Sequence, residues 1–364
     1  MRIFKYIVAA FFVFNLPTFC LFAFGSTMGR VVSILTFILP ILYAIFSKNL
    51  VILKFFLIVG LSYFLLSGFQ FYSGDESNYW AWFIKYLLLV LFGAAIVSDI
   101  SKKELLIMLI IAASSVVFNA VFFSDDYGRY SGFYLDPNAA GSVCMAGYAL
   151  SFGFEKSRLK TIAQFLCTFA GLITFSRTFI VLWIIVNLIS LKLNPKNIKV
   201  LALGVVVIAF TLSLASFLNF NPIRFSQLQS LVGDEEVSLE ELNEGSRTAT
   251  WAKFYPYISE KPVLGHGFGS FQGGNQISRI GPHNSFLLIW GEAGIMALLA
   301  FLGLHLYLLK KSLVIFYQKP HLFMMSISLI LFLMTNHNYF TAYTIIFISM
   351  WIFIETHKIV KNEN

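Results

Sequence analysis

Residues 101–130 read SKKELLIMLIIAASSVVFNAVFFSDDYGRY. After Glu104 no charged side chain occurs until Asp125, and Lys102 and Lys103 close the other flank. An apolar run of this length matches the hydrocarbon thickness of a bilayer, which takes about 20 helical residues to cross. Lipid offers the backbone no hydrogen-bonding partner, so such a run must satisfy its own N–H and C=O groups as a helix. The strict apolar–polar alternation of a membrane barrel strand is absent. Residues 104–123 therefore read as a membrane-spanning helix.

The rest of the chain repeats the pattern. Further runs fall at about 4–24, 31–47, 50–69, 79–98, 139–154, 159–175, 178–193, 198–217, 283–308, 321–335 and 338–356. With 104–123 they predict about 12 transmembrane helices. Of the 364 residues, 58% are hydrophobic and 12% charged, and the mean hydropathy is +0.78. A water-soluble domain carries roughly 25% charged residues, so this chain lacks the polar surface to coat one. The fold class is thus an all-α polytopic membrane protein, with residues 1–364 forming a single membrane domain. Arg2 and Lys5 precede the first run in the manner of a signal peptide. No small-x-small cleavage site follows, so the run reads as an uncleaved span. Cys20, Cys144 and Cys167 all fall inside apolar runs and read as small core hydrophobes. No repeat, heptad or low-complexity tail occurs.

A net charge of +8 raises the possibility of nucleic acid, but the basic residues are scattered through short loops. Membrane topology explains them better. An even number of spans puts both termini on one side. If that side is cytoplasmic, the outer side holds Arg30, Lys85, Arg129, Arg177, Arg224, Arg247, Lys253, Lys261 and Arg279, and the remaining 17 of 26 basic residues lie inside. That is the expected bias. The longest polar segment, 218–282, is then extracytoplasmic. It holds an acidic stretch from Asp234 to Glu244, a predicted helix from Ser246 to about Ile258 with Ser246 as N-cap and Pro256 as a kink or early end, and a Gly-rich connection, Leu264-Gly265-His266-Gly267-Phe268-Gly269.

Basic residues on the outer side run against the charge bias and call for another reason. Arg30 and Lys85 read as snorkelling anchors. Arg177 lies in Phe175-Ser176-Arg177-Thr178, which joins two spans with almost no loop, so it sits at the interface. Arg129 precedes the sixth span, and Arg247 opens the predicted loop helix with Trp251 four residues on. An interfacial guanidinium facing protein calls for an anion, and its fork suits phosphate oxygens. The helix start after Asp136-Pro137-Asn138 adds N–H groups that favour anions. His283, just before the tenth span, has a pKa near working pH and suits proton transfer from a hydroxyl. Plainer roles compete: Arg247 as partner of the acidic stretch, His283 as a helix cap, His266 as a loop residue. His305, His321, His337 and His357 are assigned no chemistry. Glu292, half a helical turn out of register with His283, is expected to bond a neighbouring helix. No nucleotide-binding loop, nucleophile elbow or zinc motif occurs, and Asp125-Asp126 is a weak metal candidate.

The ordered set Arg129-x-Ser131-Gly132-x4-Pro137-Asn138, Ser176-Arg177, Arg247-x3-Trp251, Pro262-x-Leu264-Gly265-x-Gly267-x-Gly269, His283-Asn284-x-Phe286-Leu287 and Gly291-Glu292-x-Gly294-Ile295 resembles the O-antigen ligase and O-antigen polymerase superfamily. The resemblance implies a GT-C-like helical body with one long periplasmic loop, in the bacterial inner membrane. It implies a metal-independent, inverting glycosyltransferase needing no cofactor. Its substrates would be an undecaprenyl-diphosphate-linked glycan and an acceptor glycolipid, its companions the lipid bilayer and a chain-length regulator or flippase, with no nucleic acid. By resemblance, Arg129, Arg177 and Arg247 bind the diphosphate, Arg247 and His283 are catalytic, and Asn138, Asn284 and Trp251 support them. Within the superfamily a repeat-unit polymerase is favoured on numbers, since genomes commonly carry one ligase and several polymerases. A ligase to lipid A core and a protein O-oligosaccharyltransferase are the alternatives. A lipid or sugar transporter is the reading from another class, and the lack of repeats speaks against it.

Overall fold

A computed structural model describes residues 1–69, 71, 76–123, 129–213, 247–274 and 280–362. Among them the architecture is all-helical. Helices α1 (Arg2–Val13), α2 (Leu16–Ser47), α3 (Lys54–Ser67), α4 (Glu76–Leu88), α5 (Ala94–Asp99), α6 (Lys102–Phe122), α7 (Pro137–Ser151), α8 (Arg158–Ile173), α9 (Arg177–Leu193) and α10 (Ile198–Ser213) precede two short helices, α11 (Arg247–Ala252) and α12 (Tyr255–Glu260). Helices α13 (Ser285–Val314), α14 (Pro320–Leu333) and α15 (Tyr343–Asn362) complete the bundle. The acidic stretch 234–244, Ser246, Asp125-Asp126, Arg224, Arg279 and the end of the ninth expected span lie outside the described residues.

The predicted spans and the helices coincide in part. Four helical stretches are long and apolar enough to cross a bilayer by themselves: Leu16–Ser47, Asn78–Asp99, Lys102–Phe122 and Ser285–Val314. Helices α3 and α14 are apolar but shorter, and α7 to α10 have 15 to 17 residues, about a turn less than a straight crossing of about 20 needs. The structure thus supports a polytopic membrane protein without reproducing twelve full-length spans. The first expected span, 4–24, is broken: α1 ends at Val13, Asn15 turns left-handed at φ 47°, and α2 bends at Gly25. The fourth, 79–98, is continuous through a five-residue π segment, Leu89–Gly93.

Surface and interior follow a lipid solvent. Phe22, Ile34, Phe46, Phe122 and Val314 are exposed, a distribution that would aggregate in water. Helix α7, rich in small residues, is buried along most of its length and packs against α6, α8, α9 and α14. Two hydrogen bonds between buried side chains tie helices together: Tyr148 donates to Asn187 Oδ1 at 2.7 Å, and Trp183 Nε1 to Thr168 Oγ1 at 3.1 Å.

A polar collar closes one end of the bundle. Ser101 and Glu104 form a capping box at the start of α6. The Glu104 carboxylate also accepts from Lys5 Nζ at 2.9 Å and Tyr6 OH at 2.5 Å, and Asp99 accepts from Tyr43 OH at 2.6 Å. Lys358 Nζ donates to Ser98 O at 3.1 Å. Asn49 Nδ2 donates to Ser98 Oγ at 3.1 Å, so the N-terminus, the α2–α3 turn, the α5–α6 turn and the C-terminal helix are held together there. This is the end expected to face the cytoplasm.

The other end is organised by a break in α13. Gly294 has φ 77°, and the segment Pro262–Phe268 lies in the gap. His266 N–H donates to Gly291 O at 2.7 Å and Gly267 N–H to Glu292 O at 3.0 Å, while Ile295 N–H donates to Pro262 O at 3.0 Å. The loop thus supplies partners for the helical groups that the break orphans. A Cβ on Gly294 would sit 1.8 Å from Val263 O, so no other residue fits. The Glu292 carboxylate, 0% exposed, accepts from Tyr63 OH at 2.5 Å, Phe271 N–H at 3.0 Å and Gln272 Nε2 at 3.1 Å. It joins α13 to α3, as expected from its register, and to the loop as well. The Gly-rich motif and the Gly-Glu-x-Gly-Ile motif are two halves of one joint.

Candidate functional site

Three helix starts carry the residues singled out in sequence. Asp136 is the N-cap of α7 and accepts from Asn138 N–H at 2.8 Å. Ser176 is the N-cap of α9, after a left-handed Phe175 that turns the chain two residues past the end of α8. Its hydroxyl donates to Asn138 Oδ1 at 3.1 Å, so the starts of α7 and α9 lie side by side. Asn284 is the N-cap of α13 and accepts from Phe286 N–H at 2.9 Å and Leu287 N–H at 3.2 Å. The caps occupy the amides at 138 and 286–287, so what the helix ends add to the site is chiefly their aligned dipoles, positive at this end.

The arginines sit around these starts. Arg177 is the first residue of α9 and is exposed. Arg129 Nε donates to Thr174 O at 3.3 Å, which places it on the same α8–α9 turn. The chain after it is pinned to α6, where Asn119 Oδ1 accepts from Ser131 N–H at 3.1 Å and Gly132 N–H at 3.2 Å. Arg247 opens α11. The expected single loop helix is two, divided before Tyr255, with Pro256 in the first turn of α12. Trp251 packs on the core and its Nε1 is buried without a hydrogen-bond partner among the described residues.

His283 is reached by both sides. It takes a left-handed φ of 48° just before the Asn284 cap. Arg247 lowers its pKa by charge and Asp136 raises it, so both stand within electrostatic range. Burial is the largest influence and the net shift is downward. His283 is therefore a neutral imidazole at neutral pH, able to accept a proton.

His337 is the residue that sequence reasoning missed. It follows α14 in the turn Thr335-Asn336-His337-Asn338. Its ring stands edge-on to His283, with centroids 4.9 Å apart and planes at 81°. Thr335 Oγ1 accepts from Thr178 Oγ1 at 3.1 Å, and Asn336 O accepts from Ser285 Oγ at 2.6 Å, so α9 and α13 each hold one side of this turn. A Cβ on Gly281 would lie 2.5 Å from His337 Nε2, so only glycine lets the ring in so close. Burial, then His283 and Arg247, push the His337 pKa down to about 4. The signal in sequence was a His among polar residues between two apolar runs, which its nearness to His283 alone turns into a candidate. Asp136 was likewise visible beside a helix start but not as a group within electrostatic range of His283.

The arrangement gathers His283, His337, Arg247 and Asp136, with Arg177 and Arg129 on the adjoining α8–α9 turn. Asn138 and Asn284 act as fasteners of helix starts, and His266 stays a loop residue whose Nε2 meets Tyr257 O at 2.7 Å. Among the described residues no group of three metal-ligating side chains occurs.

No curated protein matches the chain. Residues 162–302 match the family model described as O-antigen ligase. The matched stretch includes Arg177, Arg247, Trp251, the Gly-rich joint, His283, Asn284 and Glu292, whereas Arg129 and Asn138 precede it and His337 follows it. The chain is thus a polytopic membrane protein whose residues 162–302 are similar to the O-antigen ligase family.

Proposed function

We propose that the protein is a membrane glycosyltransferase that moves an undecaprenyl-diphosphate-linked oligosaccharide en bloc to an acceptor sugar hydroxyl, as a surface-polysaccharide repeat-unit polymerase. The observation that carries this reading is His283, packed against His337 at 4.9 Å beside the Asn284 helix start and within electrostatic range of Arg247. The acceptor oxygen attacks the anomeric carbon and the bond from that carbon to the diphosphate oxygen breaks. The electron pair stays on the diphosphate, and the hydroxyl proton goes to the His283 imidazole. Attack opposite the leaving group inverts the anomeric centre. Arg247 and Arg177 set positive charge against the diphosphate as it departs, with Arg129 behind the α8–α9 turn. Preorganised charge at a leaving group commonly contributes several kcal/mol. His337 packs against His283 and holds the ring in place. The site lies on the periplasmic side of the inner membrane with both termini cytoplasmic.

The test is turnover by purified protein in nanodiscs, given only the lipid-linked glycan. Longer glycans on the lipid support the reading; none from wild type overturns it. Gene deletion separates polymerase from ligase. Single-unit glycans on lipid A core mark a lost polymerase, and lipid-linked polymer with bare core marks a lost ligase.

A further inference from the structure

A cavity of about 780 Å³ lies between α2, α4 and the turn that opens α15. None of Arg129, Arg177, Arg247 or His283 lines it. Its walls include Leu21, Ile34 and Ile38, which are exposed and open it toward the lipid-facing surface. Two cations, Arg30 and Lys85, face this hollow. Lys85 Nζ lies 5.7 Å from the centre of the Phe37 ring. Among the described residues neither cation has a carboxylate within ion-pair distance, the ion pairs there being Lys5–Glu104 and Lys358–Glu355. Simple snorkelling would send the two side chains to water separately. Sharing one apolar hollow is instead the setting in which a cation needs an anion.

Segments adjoining the site in the chain border the cavity. Phe133, three residues before Asp136, packs on Phe14 and Phe19 at 5.5 and 5.2 Å, beside the wall formed by Pro17, Thr18 and Leu21. Thr341 and Tyr343, a few residues after His337, form the opposite wall. The segment that follows His337 thus lines the groove, and the turn before Asp136 packs beside its α2 wall.

We propose that this groove seats the lipid anchor of the acceptor, a second phosphate-bearing glycolipid, with its phosphate against Arg30 and Lys85 and its hydrocarbon chain along Leu21, Ile34 and Ile38. The assignment rests on the transferase reading, and chemistry selects the acceptor over the donor. The donor reacts at the sugar carbon bonded to its diphosphate, so that diphosphate must lie beside His283, at the arginines. The acceptor reacts at a hydroxyl remote from its own phosphate, so its anchor needs a cationic seat of its own, next to the site and apart from it. A lipid seat also favours a glycolipid over a protein as the acceptor.

The test uses nanodisc-embedded full-length protein, a labelled lipid-diphosphate glycan as donor and two acceptors. Both carry the same glycan: one on a polyprenyl phosphonate that can accept but not donate, the other on a neutral alkyl chain. Wild type is expected to show a KM about tenfold lower for the phosphonate acceptor, the size of one good charge-assisted contact. The Arg30→Ala/Lys85→Ala double variant loses that difference and keeps its donor KM, which also reports that it is folded. Arg30→Lys/Lys85→Arg keeps the difference, and Ser33→Trp, which fills the groove, raises KM for the phosphonate acceptor. Equal KM values in wild type, as for a groove holding bulk phospholipid, or a difference that survives in the double variant, overturn the groove assignment. No turnover by wild type with either acceptor overturns the transferase reading and the groove with it.

Discussion

At the scale of single residues, charge around His283 decides what it can do. Burial and Arg247 lower its pKa, and Asp136 opposes them. Its neutral form, the one that accepts a proton, prevails above the lowered pKa and is lost as pH falls through it. The acid limb of the rate profile is therefore expected below the ordinary histidine value of about 6.5. Asp136→Asn removes the stabiliser of the imidazolium and should move the limb to lower pH. Arg247→Gln removes the opposing cation and should move it to higher pH, besides cutting the rate by about a hundredfold or more through the leaving group. A pH–rate series on the three proteins checks both directions, and a limb that stays put in both variants removes His283 as the base. Arg177→Lys should also lose most activity while insertion stays normal, because an ammonium cannot reproduce the guanidinium fork.

At the scale of elements, the joint between α13 and the Gly-rich loop is the feature on which the site depends. It stands two to three helical turns beyond the Asn284 cap, on the helix whose start carries His283. Gly294→Ala forces a positive φ on a side chain and drives its Cβ into Val263 O. A loss of at least about 2 kcal/mol is expected, read as a lower apparent unfolding temperature in detergent. Glu292→Ala leaves Tyr63, Phe271 and Gln272 without their acceptor and should cost on the order of 3 kcal/mol. Both variants are expected to lose activity with unchanged membrane insertion. Full activity with unaltered thermal unfolding would show that the joint has no part in holding the site.

At the scale of the whole molecule, the orientation follows from charge. In a cysteine-free background, Asn49→Cys in the polar collar should react with thiol reagents only once the inner face is opened. Asn338→Cys, beside His337, should react with a membrane-impermeant reagent in intact spheroplasts. The opposite pattern would invert the topology and place the arginine site in the cytoplasm.

Much of this protein was legible without coordinates. Apolar runs of bilayer length dictate helices, because lipid leaves the backbone no other partner. The order of the motifs carried the likeness to the O-antigen ligase family, and the basic residues against the charge bias marked the segments of the candidate site. What sequence could not supply was proximity. His337 stands 54 residues after His283 in the chain, and only the packing of α9, α13 and α14 brings the two rings to 4.9 Å. Arg30 and Lys85 looked like separate anchors until α2 and α4 placed both on one hollow. The break at Gly294 was hidden too, because a strand of loop repairs the helix at a distance of some 30 residues. Local chemistry sets which segments are helices and which end they start from. Which side chains share a cavity depends on how those helices pack, a property of pairs of distant residues that no single stretch of sequence contains.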